Sequence, residues 1–77
     1  MSILRTYREK NNLSLVRLAK KVSEVLGHSI HYDTIAKIER GERRPSPELA
    51  KALETVTGIP RLVFLYPDEF GKSSMTH

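Results

Sequence analysis

Cysteine and tryptophan are absent from this sequence, and its longest uninterrupted apolar run is residues 62–66. Without cysteine there is neither a disulfide framework nor a cysteine zinc site to hold the chain together. A five-residue apolar run is far short of the roughly 20 residues that a membrane span needs. The opening residues, from Met1 to Arg8, lack an apolar signal core, so export is not expected. No glycine-rich phosphate loop, no zinc-ligand spacing and no nucleophile with a base and an orienting acid can be found, which argues against an enzyme. A soluble, cytoplasmic protein with no cofactor, metal or small-molecule substrate is the expectation.

Seventy-seven residues make one domain, near the lower limit for folding on a hydrophobic core alone. Stability must therefore come from economical packing, which favours helices. The net charge of +4 is unevenly placed. Residues 1–44 hold ten lysines and arginines against five acids, whereas residues 45–77 hold three against four. Such an asymmetry suits a basic half that meets an anion and a near-neutral half with another task.

Periodicity and punctuation divide the chain into four or five short helices. Ser2 can cap a first helix with Ile3, Leu4 and Tyr7 on its apolar face, closed by Asn11 and Asn12. Ser14 can cap a second, in which Leu15, Leu18, Ala19, Val22, Val25 and Leu26 keep amphipathic spacing until Gly27. Arg17, Lys20, Lys21 and Glu24 take its outer face. The third helix, residues 32–40, has His31 at its cap, and Ile30 and Ile35 are placed to form a hydrophobic staple. Gly41 stops it before a basic loop. Ser46, Pro47 and Glu48 open a fourth helix in the order that capping, fixed φ and the helix dipole favour, and Gly58 ends it. Pro60 opens a short fifth helix through Leu62, Val63, Phe64 and Leu65, ending before Pro67; strand propensity competes here. The fold expected is an all-α compact bundle over residues 1–70, followed by a polar, frayed tail over 71–77.

Helix two, a turn and helix three make a helix-turn-helix candidate, whose second helix would enter the DNA major groove. The residues that carry a family likeness are Leu13-Ser14 before Leu18-Ala19, and then the string Thr34-Ile35-Ala36-Lys37-Ile38-Glu39-Arg40-Gly41. Arg44-Pro45-Ser46, Leu49 with Ala52-Leu53, and Gly58-Ile59 follow. In these the sequence resembles the lambda-repressor-like, Cro/CI-type (XRE) helix-turn-helix regulators over about residues 3–65. The resemblance implies a helix-turn-helix over about 14–40, with an extended second helix. Between Val22 and Ser29 this chain has about six residues more than the family's short turn, and their amphipathic pattern lengthens the helix rather than adding a loop.

The resemblance also implies roles. Tyr32, Asp33, Ala36 and Lys37 occupy base-facing positions. Ser14, the amide of Leu15, Arg17, Arg40, Arg43 and Arg44 stand where phosphates are met. Arg8 and Glu39 match a structural ion pair that ties helix one to the recognition helix. It further implies double-stranded DNA as partner, a homodimer on a palindromic operator, and phage- or prophage-type repression.

The chemistry of the individual residues leaves alternatives. Lys37 can donate to guanine or to a phosphate. Asp33 can accept from cytosine N4, or serve as a first-turn acid favourable to the dipole. Tyr32 can touch a thymine methyl, bond a phosphate or pack partly into the core. Leu62, Phe64, Leu65, Tyr66, Pro67 and Phe70, within 59–70, are the candidates for a dimer contact, though a small domain needs apolar residues there for its own core. An antitoxin-like DNA binder whose C-terminal region holds a small protein partner is the competing function. A membrane role for the cationic face of helix two fits less well, because its inner face lacks Trp and Phe. His28 and His31 are three apart, but no cysteine or carboxylate cluster accompanies them, so no metal is expected.

Overall fold

A computed structural model describes residues 2–66, and within them the chain forms five helices and no strand. Pro67 and Phe70, expected at a dimer contact, and the expected tail lie outside the described residues. The helices are α1 (Ile3–Lys10), α2 (Leu15–Leu26), α3 (Tyr32–Glu39), α4 (Pro47–Thr57) and α5 (Arg61–Leu65).

Each of the first four starts on a side chain that satisfies an orphan amide. Ser2, Ser14 and Ser46 accept from the amides of Arg5, Arg17 and Leu49 at 3.3, 3.1 and 3.2 Å. His31 does the same for α3, with Nδ1 accepting from the Asp33 amide at 3.1 Å. Helix α1 closes on Asn12, whose φ of 51° lies in the left-handed region. The chain then folds back far enough for the Leu13 amide to donate to the Arg8 carbonyl at 2.9 Å.

The core is drawn from all five helices. Leu4, Leu18, Val22, Ile35 and Leu53 are its largest fully buried side chains. Ala19, Ala50 and Ala52 are buried in the same cluster. Helix α2 packs against both α3 and α4, and α5 packs on α4. The hydroxyl of Tyr7 donates to the Val56 carbonyl at 3.4 Å and so links α1 to the end of α4.

Two residues sit differently from the sequence pattern. Val25 was expected inward but is 47% exposed. It shares the helical stripe of Leu18 and Val22 but lies near the C-terminal end of α2. Phe64 belongs to the core cluster and does not stand at the surface. The helical turn opened by Pro60 aims it there: the Val63 amide donates to the Pro60 carbonyl, and the alternation of a strand is lost. What remains outside on α5 is Leu62, 45% exposed, with Tyr66 at 51% just beyond the helix.

Candidate nucleic-acid interface

Helix α2 is twelve residues long and runs without interruption through the additional turn. Gly27, at φ 87°, ends it. The turn to α3 is then fixed by Ser23, a residue that periodicity and capping did not single out. Its hydroxyl donates to the Ala19 carbonyl at 2.7 Å and accepts from the Ile30 amide at 2.8 Å. One side chain thereby satisfies a turn amide and ties the entry of α3 to the body of α2. A serine four residues before a stopping glycine is the only signal that could have pointed to it.

Helix α3 is anchored on one side by Ile35 and Ala36, both buried, with Ile30 and Ile38 partly buried around the same cluster. On the adjoining side Glu39 meets Arg8 as a two-pronged pair. Nε donates to Oε2 at 2.7 Å and Nη2 to Oε1 at 3.2 Å. Arg8 Nη1 also reaches the Leu13 carbonyl at 3.2 Å. The side chains are 18% and 7% exposed, so the pair is largely withdrawn from water. The hydrogen bond that Arg8 donates to Glu39 raises the affinity of the guanidinium for its proton, against the opposing effect of burial.

The opposite side of α3 is open. Asp33, Lys37 and Arg40 follow at spacings of four and three, so they share one face, and all are exposed. Lys37 Nζ lies 3.4 Å from Asp33 Oδ2. Arg40 donates through Nε and Nη2 to Glu42 Oε2 and Oε1 at 2.8 and 3.2 Å. That bonding holds the Arg40 guanidinium more firmly protonated and keeps the Glu42 carboxyl below its ordinary value. Glu42 arrives there because Gly41, at φ 77°, turns the chain back. The Gly41 amide donates to the Ile38 carbonyl at 3.1 Å and the Glu42 amide to the Lys37 carbonyl at 2.9 Å. At the other end of the helix Tyr32 is exposed and its ring stacks on His31, with centroids 4.4 Å apart.

A helix held by its inner face against a preceding helix, with a polar row outward, is the arrangement of a helix-turn-helix. A family model described as helix-turn-helix matches residues 4–64. The chain belongs to the lambda-repressor-like (XRE) helix-turn-helix family. It is accordingly a DNA-binding transcription regulator of the XRE type. No curated protein and no solved structure gives a significant match.

Within this XRE-type domain the expected site residues are distributed as follows. Ser14 caps α2 and is exposed, while Leu15 is half-buried and Arg17 exposed on the first turn. Arg40, Arg43 and Arg44 are exposed at and beyond the end of α3. Ala36 is only 8% exposed, so its methyl belongs more to the core than to any outer surface. Thr34, not expected in the site, is half-buried on α3. Glu42, likewise unexpected, is brought onto the open face by the backward turn at Gly41. The Arg-Gly-Glu order at residues 40–42 carried that signal, because a left-handed glycine ending a helix returns the next residue towards the last turn. Among the described residues no three histidine or acidic side chains cluster as metal ligands, and no helix is long and apolar enough to cross a membrane. His31 Nδ1 is already engaged as the α3 cap.

Proposed function

We propose that this regulator is a repressor of phage or prophage type that binds a palindromic operator as a homodimer. The observation that carries the reading is the pose of α3, clamped from behind by Arg8 and Glu39 while Asp33, Lys37 and Arg40 stand open. Tyr32, Asp33 and Lys37 contact base edges, with Ala36 at most offering a methyl edge to a thymine. The Ser14 cap, the Leu15 amide, Arg17, Arg40, Arg43 and Arg44 position the backbone. A single recognition helix reads only a few base pairs, whereas two-fold pairing sets two of them roughly 34 Å apart on the same side of the duplex. Leu62, Leu65 and Tyr66 form the described part of the pairing surface. Bound over a promoter, such a dimer excludes polymerase. The same exposed Leu62 and Tyr66 also suit a small protein partner, as in an antitoxin.

Selection of bound sites from random DNA tests the reading. An inverted repeat with half-site centres about one helical turn apart is the expected result. A single half-site, or no enrichment at all, would remove the dimeric repressor. With the selected site, Lys37→Ala should change which bases matter, whereas Arg43→Ala should weaken all sequences about equally.

A further inference from the structure

The open face of α3 carries no net charge. Asp33, Lys37, Arg40 and Glu42 compensate one another, and each base is already engaged by an acid. A helix whose task was simply to attract phosphates would not be built this way. We propose that Glu42 is a specificity-determining residue that withholds Arg40 from phosphates, so that the recognition helix engages firmly only where matched bases compensate the exchange. This inference rests on the DNA reading of α3 given above.

The geometry favours Glu42 over Asp33 in this role. Two carboxylate oxygens occupy two arms of the Arg40 fork at 2.8 and 3.2 Å, which is the same two-pronged grip that a phosphate would use. Lys37, by contrast, has one oxygen at 3.4 Å and three freely rotating donors. The Glu42 backbone is fixed independently of its side chain, through the hydrogen bond that its amide donates to the Lys37 carbonyl. The carboxylate is thus presented beside Arg40 and does not wander to it. Random DNA offers Arg40 only a second anionic fork in place of the first. It also leaves the displaced Glu42 carboxylate near the phosphates, an unfavourable juxtaposition. On a matched site the displaced Glu42 carboxylate is itself compensated, accepting from a cytosine amine that a random sequence does not place there. Arg17 and Arg43, which have no acidic partner among the described residues, supply the first attraction instead.

Both side chains of the Arg40–Glu42 pair are about half exposed, at 52% and 53%, so Glu42→Gln leaves the fold intact, as thermal melts will confirm. Binding of the whole chain to a random-sequence duplex and to the selected operator is then measured by anisotropy over a range of salt. Glu42→Gln should tighten binding to the random duplex about three- to tenfold and to the operator less than about twofold. The slope of log K against log salt for the random duplex should steepen by about 0.9, the mark of one added phosphate contact. In an Arg40→Ala background the same substitution should leave that slope unchanged. Equal tightening on both duplexes, or a gain that persists in full without Arg40, would show that only net charge is felt and would overturn the inference. A wild-type chain that bound neither duplex would overturn the parent reading as well, whereas specific wild-type binding with an unresponsive Glu42→Gln variant would overturn the inference alone.

Discussion

Arg8 and Glu39 stand 31 positions apart in sequence and form the most sheltered charged contact among the described residues. Taking one charge away leaves the other without its counter-ion in a site that water barely reaches. Arg8→Ala should therefore cost about 2–3 kcal/mol, somewhat below the range for fully buried pairs. In a domain of this size each kcal/mol moves the melting temperature by about 4–8 °C, so a thermal unfolding curve will resolve it. Replacing both partners by methionine should cost less than Arg8→Ala, because no orphaned charge remains. A double variant as unstable as the single one would mean that packing of the arginine stem, and not the charge, is what matters.

At the scale of elements, punctuation was the most legible part of the chain. Serines at positions 2, 14 and 46, glycines at 27, 41 and 58 and the asparagine at 12 begin or end helices for local reasons that need no tertiary knowledge. Val25 was misplaced because periodicity gives the side of a helix that a residue takes, and not whether another element covers that side at its level. Phe64 was ambiguous because an apolar residue on a short helix reads alike as core or as contact surface, and the turn opened by Pro60 decides its side. Outward roles for Asp33, Lys37 and Arg40 were implied by the family resemblance, but their pairing with acids depended on local geometry, for Arg40 a left-handed turn acting together with rotamers. Ser23 was invisible because its second partner, Ile30, lies across the turn. Ser23→Ala should cost about 1–2 kcal/mol and speed hydrogen exchange at the Ile30 amide, with Ser23→Thr restoring protection. Unchanged exchange at Ile30 in the alanine variant would remove the hydroxyl from the account.

For the whole molecule, the division of charge along the sequence separates the segment that holds α1 to α3 from the one that holds α4 and α5. The cations at the end of α3 are exposed together in the chain segment 40–44, while the remaining exposed apolar area of α5 lies on a near-neutral half. If that half is the pairing surface, Leu62→Glu should shift sedimentation towards the monomer while leaving the far-UV spectrum unchanged. A dimer that persists would place its contact elsewhere. The anchoring of α3 has one last consequence. Ile35 and Glu39 fix how the helix stands, whereas Asp33, Lys37 and Arg40 contribute little to holding the domain together. Substitutions at the latter three positions are nearly free of folding cost. The preferred operator can thus drift, or be redirected by design, on a scaffold that remains the same.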